Sequence, residues 1–143
     1  MLNLFKKRKV IAFDEITGSR DGMTAVVVGA GGTIKEYGEQ VKKIMGQDNV
    51  FSIGINKITG FHVPTYHLWT NRQRLREFGS CIDSQKSTLM FGSILPEKLI
   101  SKHHKGDYIE IEYEDSGDCQ VEYKDGKIYG NFRTAGCLAV FIV

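Results

Sequence analysis

Thr24-Ala25-Val26-Val27-Val28-Gly29-Ala30-Gly31-Gly32-Thr33-Ile34-Lys35-Glu36 carries three signals in succession. A short uninterrupted apolar run reads as a strand buried on both faces. The glycines that follow mark a tight turn. Thr33 and Glu36 then stand at capping-box spacing, where the threonine hydroxyl can accept from the Glu36 amide while the glutamate reaches back. Ile34, Tyr37, Val41, Ile44 and Met45 continue at helical spacing, so a helix is expected to about Met45, stopping near Gly46. Strand, glycine turn and helix are the opening unit of a parallel α/β sheet.

The same alternation continues outward. Val50 to Ile55 reads as a second strand and Thr65 to Trp69, introduced by Pro64, as a third. Arg72 to Phe78 suits a short helix ended by Gly79, Thr88 to Gly92 a fourth strand, and Pro96 the first turn of a helix to about Lys102. After Gly106 the period changes. Ile109, Ile111, Tyr113, Val121 and Tyr123 alternate with acidic or polar residues, and Asp125-Gly126 is a two-residue hairpin signal. Residues 107–130 are therefore expected to form an antiparallel β-meander inserted into the α/β pattern. Asp107 to Asp125 holds eight acidic residues against one lysine. Alternation spreads those carboxylates along a solvated face, so no metal site is expected there.

With 143 residues, 41% hydrophobic and 25% charged, one Rossmann-like domain is expected over residues 1–143. A net charge of +2 is too small to imply a nucleic-acid partner, and Arg72, Arg74 and Arg76 cannot share one helix face. Cys81, Cys119 and Cys137 cannot all pair and form no C-x-x-C motif, which favours a reducing cytoplasm. Residues 1–22 read as a basic leader built on Lys6, Lys7, Arg8 and Lys9. The following Val10 to Phe13 is far too short to cross a bilayer, so contact with anionic lipid would be weak and peripheral. Cys137 to Val143 is apolar on every face of its helix. Such a helix is expected between two layers, and the sheet is expected to continue past it, making the chain an N-terminal fragment of a longer domain.

The glycine loop meets only part of the dinucleotide fingerprint. Gly29 and Gly31 fit, Ile34 stands where the third glycine belongs, and Asn56 replaces the ribose-binding carboxylate, which disfavours an NAD dehydrogenase. No G-K-[ST] closes a phosphate loop of the Walker type. A phosphate-bearing ligand is still compatible with Gly29, Gly31 and Thr33, because glycine permits close backbone approach and a helix N-terminus attracts anions. Asn56 and Asn71 follow the second and third strands, so a parallel sheet puts both at the edge that carries the glycine loop. Their amides can donate and accept toward a nucleobase, ribose or sugar. Thr134 and Gly136 open the last helix and offer a hydroxyl and open backbone to the same edge. His62, His67, His103 and His104 have no sequence partners that suggest a metal or catalytic role.

Gly29-Ala30-Gly31-Gly32-Thr33-Ile34 resembles the Gly-Asn-Gly-Pro-Ser-Leu opening of the bacterial sialyltransferases. The related flagellin-glycosylation proteins (motility accessory factors) and hydroxymethylpterin pyrophosphokinase-like proteins share that opening. Asn56 and Asn71 match asparagines near their second and third strands, and Thr134-Ala135-Gly136 resembles their Thr-Ser-Gly helix start. The resemblance covers roughly residues 24–143. Ala30, Gly32 and Ala135 depart from it, replacing asparagine, proline and serine. It implies a glycosyltransferase that uses a nucleotide-sugar donor and a glycan acceptor in surface polysaccharide synthesis. Gly29, Gly31, Thr33, Asn56, Asn71, Thr134 and Gly136 would contact the nucleotide, with no further cofactor, and the catalytic residues would lie past Val143. Two alternatives stand beside it: ATP-dependent pyrophosphoryl transfer to a pterin, which requires Mg²⁺, and a non-catalytic module that binds a ligand or partner.

Overall fold

A computed structural model describes residues 8–58, 60–118 and 120–143. Lys6 and Lys7 of the basic run, and Cys119, lie outside the described residues. The chain forms a Rossmann-like α/β fold around a six-stranded, all-parallel sheet. Its strands are β1 (Val10–Ala12), β2 (Thr24–Val28), β3 (Val50–Ile55), β4 (Tyr66–Trp69), β5 (Thr88–Gly92) and β6 (Tyr108–Ile111). They lie in the order β1-β6-β5-β4-β3-β2. The chain enters at one edge, crosses to the other, and returns strand by strand until β6 pairs with β1, with Ile11 opposite Ile109.

Period-two alternation sorts the core onto two faces. Leu68 and Trp69 are neighbours in β4, both with no exposed surface, and they belong to different apolar clusters. Trp69, Leu89, Phe91 and Tyr108 are covered by helices α2 (Arg72–Phe78) and α3 (Glu97–His103). Phe51, Ile53, Leu68, Met90 and Ile109 face the other way, toward helix α4 (Ala135–Ile142), which lies over β2, β3 and β4. Helix α1 (Ile34–Met45) packs on β3. Burying aliphatic or aromatic side chains of this size is worth about 1.5–3 kcal/mol each, so the two layers together hold the sheet.

Three expectations change. Val10–Ala12 is an edge strand of the main sheet rather than part of a leader, because its extended backbone finds the open edge of β6. Residues 107–130 are not one antiparallel meander. Tyr108–Ile111 joins the parallel sheet, and the remainder forms a separate three-stranded sheet of β7 (Tyr113–Asp115), β8 (Glu122–Lys124) and β9 (Lys127–Gly130). In that sheet β9 lies in the middle, antiparallel to β8 and parallel to β7. Tyr108, Ile109 and Ile111 are buried, which a solvated hairpin could not achieve. The Asp125-Gly126 turn does form, with φ of 53° and 80° at its two residues, the left-handed pair that a tight hairpin turn requires. Helix α4, finally, is covered on one side only. Leu138 and Ala139 are buried, whereas Val140 and Phe141 are exposed. No helix among the described residues is long and apolar enough to cross a membrane.

Candidate functional site

The C-terminal ends of parallel strands are where α/β sheets bind ligands, because the loops there are free of the ladder and helix N-termini point toward them. At this edge lie all seven residues expected from sequence. They divide into two groups.

Gly29, Gly31 and Thr33 follow β2. Thr33 occupies the N-cap position of α1 but already has helical dihedrals, φ −62° and ψ −20°, and its side chain makes no capping bond. The capping box is therefore not formed, since an N-cap side chain reaches the third amide only from an extended backbone. The loop winds instead through short-range bonds: Ile34 N donates to Gly31 O, Lys35 N to Gly32 O and Glu36 N to Thr33 O, at 3.1–3.2 Å. The first amides of α1 thus already have partners. A Cβ added at Gly29 or Gly32 would touch nothing within 4 Å, and neither has a left-handed φ. Neither backbone geometry nor packing within the chain requires glycine at those two positions.

Asn56, Asn71 and Thr134 behave differently, for they line one cleft of about 370 Å³. Gly136 is close in sequence but does not line it. Asn56, just past β3, is a non-glycine residue at φ 54°, a conformation asparagine tolerates better than most. Its side-chain Oδ1 is buried without a hydrogen-bond partner among the described residues. Asn71, just past β4, caps α2 from an extended backbone, and its Oδ1 accepts from Arg74 N at 3.0 Å. Thr134 caps α4 in the same way, its Oγ1 accepting from Cys137 N at 3.3 Å. Two of the three expected residues therefore have a structural task as well as a place in the cleft.

The remaining wall comes from residues the sequence reading did not select. Thr70 and Arg74, near Asn71 in the chain, line the cleft together with Tyr113, Phe132 and Arg133. Tyr113 and Phe132 meet edge to face at 6.0 Å. Burial pushes the Tyr113 phenol above its ordinary range, and its hydrogen bond with Thr70 only partly opposes this, so the hydroxyl is a protonated donor near neutrality. Arg74 makes an exposed ion pair with Glu77 at 3.5 Å, which is worth little. Arg133 has no ion-pair partner among the described residues. Among the described lining residues there are two guanidinium groups and no carboxylate, imidazole or thiol. Arginine's planar fork suits phosphate and carboxylate oxygens, and the amides and hydroxyls beside it suit ribose or base edges. Tyr113 and Phe132 had only strand-like or turn-like surroundings in the sequence. Arg133, immediately before the Thr134 cap, was the one legible signal.

Other polar clusters have local explanations. Ser52 Oγ lies 3.3 Å from His62 Nε2, yet Ser52 is buried at 2% exposure and its oxygen already accepts from Thr65 N, so it is placed as a strand-to-loop tie rather than a nucleophile. His104 Nε2 bonds the Asp107 carbonyl at 2.9 Å and anchors the turn into β6. Among the described residues, Cys81 and Cys137 are free and no group of three or more His, Cys, Asp or Glu side chains is placed to hold a metal ion. Comparison with protein-family models, curated proteins and solved structures finds no match to this chain.

Proposed function

We propose that the domain binds the nucleotide of a nucleotide-sugar donor and belongs to a glycosyltransferase of surface polysaccharide or glycan synthesis, working in the cytoplasm. The observation that carries this reading is the cleft at the C-terminal ends of β3 and β4. There Arg74 and Arg133 stand with Asn56, Asn71 and Thr134, and no carboxylate is among the described lining residues. In such a transfer the bond between the sugar carbon and the donor phosphate breaks, and a bond to an acceptor hydroxyl forms. Negative charge grows on the departing nucleotide, and guanidinium groups beside that oxygen stabilise it more strongly as it develops. The arginines are assigned to phosphate. The asparagines, Thr70 and the Tyr113 hydroxyl are assigned to ribose and base.

A ¹⁵N NMR titration tests the reading. Cytidine diphosphate is expected to shift the amides of Asn56, Asn71 and Arg133 to Ala135 more than NAD does, and Arg133→Ala is expected to weaken its binding roughly tenfold, as for loss of one charge-assisted hydrogen bond. Equal shifts with NAD, or shifts confined to other surfaces, would remove the basis for the proposal. ATP shifts that appear only with Mg²⁺ would favour pyrophosphoryl transfer instead.

A further inference from the structure

We propose that His67 is a positioning residue for this cleft: from inside the sheet it holds the Asn56 backbone in its left-handed turn, so that the unpartnered Asn56 Oδ1 is presented to a ligand N–H or O–H donor. The inference rests on the nucleotide reading only for the identity of that ligand. His67 sits in β4 with no exposed surface, opposite Gly54 in the strand register. Its Nε2 bonds the Asn56 carbonyl. The same carbonyl accepts from Ile58 N at 3.0 Å, and Asn56 N donates to Leu68 O at 3.1 Å. Three bonds therefore fix the backbone of a residue at φ 54°.

The chemistry of the imidazole follows from that partner. A carbonyl can only accept, so Nε2 carries the proton, and Nδ1 is left as a buried lone pair without a partner. Burial also holds His67 below its ordinary pKa, which keeps this neutral tautomer in place. Satisfying the Asn56 carbonyl does not need the imidazole, because Ile58 N already bonds it. What the second bond adds is direction. The side chain it steers lines the cleft, and its oxygen is shielded from water with nothing to bond. An acceptor that water does not reach and that no described group satisfies, in a residue that lines the cleft, is completed when the Asn56 amide turns toward a ligand donor: an exocyclic amine of a base, or a hydroxyl of the ribose.

The experiment compares His67→Gln, whose amide keeps a donor near the Nε2 position, with His67→Phe, which keeps a ring and removes the donor. In the free chain, the Asn56 ¹³Cα shift and its amide coupling should report the left-handed turn in wild type and His67→Gln, and lose it in His67→Phe. Cytidine diphosphate should bind wild type and His67→Gln alike, and His67→Phe roughly tenfold more weakly. An His67→Phe protein with native β3 to β5 amide signals, an unchanged Asn56 turn and unchanged binding would overturn the proposal. If that variant does not fold, Asn56→Gly serves: glycine keeps the turn, so the protein should stay folded and lose binding by roughly tenfold. Unchanged binding there would overturn the assignment of Oδ1. Weaker binding of uridine than cytidine diphosphate identifies the base amine as the donor, and weaker binding of the 2′-deoxy form identifies the ribose hydroxyl. Equal binding of all three overturns the donor assignment. Failure of wild type to bind any of them removes the nucleotide reading and the Oδ1 assignment together, while the coupling measurement still decides the role of His67.

Discussion

Two loops at the same edge of the sheet both carry candidate site residues and are built in different ways. The turn after β2, Gly29 to Thr33, is a contiguous string whose first helical amides bond carbonyls three residues back. The cleft beyond β3 and β4 is assembled from Asn56, from the Thr70 to Arg74 segment and from residues 113 and 132–134, separated by up to about eighty positions in the chain. The first looks like a ligand loop in sequence and leads directly into a helix. The second is a constellation of side chains with a charge bias and a buried acceptor that no described group satisfies. A glycine string permits close approach, but side chains converging from several elements define what approaches.

Substitutions in three places press on that contrast. The largest effect is expected at Gly54, on the β3 strand that leads to Asn56. A Cβ there would run into Ile58 Cδ1 and lie 2.7 Å from Pro64 Cγ, so Gly54→Ala overpacks the support of the cleft. A loss of about 1–3 kcal/mol is expected in denaturant unfolding, as a lower midpoint at unchanged slope. An unchanged midpoint would mean that the loop under Asn56 yields freely and that the cleft is not rigidly supported.

Next comes Thr134→Ala, which removes the bond to Cys137 N while leaving the cleft's arginines in place. It should lower stability by about 1 kcal/mol, with Thr134→Ser recovering most of it. Thr33→Ala, with no capping bond to lose, should change the midpoint far less. Equal losses at the two threonines would show that the helix starts are more alike in solution than their dihedrals indicate.

The smallest effect is expected in the glycine turn itself. Gly29→Ala and Gly32→Ala place a methyl in open space at ordinary φ, so stability should hold or rise by up to about 1 kcal/mol through reduced freedom of the unfolded chain. Cytidine diphosphate affinity should not change. A tenfold loss of affinity at either position, without loss of stability, would dissolve the contrast and restore the turn to the binding site.

Much of the architecture was legible because its signals are local. The run Ala25 to Val28, the helical spacing from Ile34 to Met45, the glycine after Phe78 and the Asp125-Gly126 turn each act within a few residues, where backbone sterics and side-chain period leave few options. Asn71 and Thr134 were legible for the same reason, since a polar residue before a helix declares itself by position. The Thr33 pattern misled because bonds from Ile34 N and Lys35 N to the Gly31 and Gly32 carbonyls wind the chain into helical dihedrals one residue early, which takes the hydroxyl out of capping range.

What the sequence by itself determined, then, were most of the elements and the edge at which the candidate site residues gather, because both follow from short-range geometry and the direction of parallel strands. Only the tertiary structure decided that Val10–Ala12 closes the sheet against β6, that Tyr108–Ile111 leaves the supposed meander, and that Arg74, Tyr113 and Arg133 line one cleft with Asn56. It also decided that a buried His67 grips the Asn56 carbonyl. Those outcomes depend on which distant backbone edge or apolar face each segment finds, a choice made by burial and ladder pairing over the whole sheet.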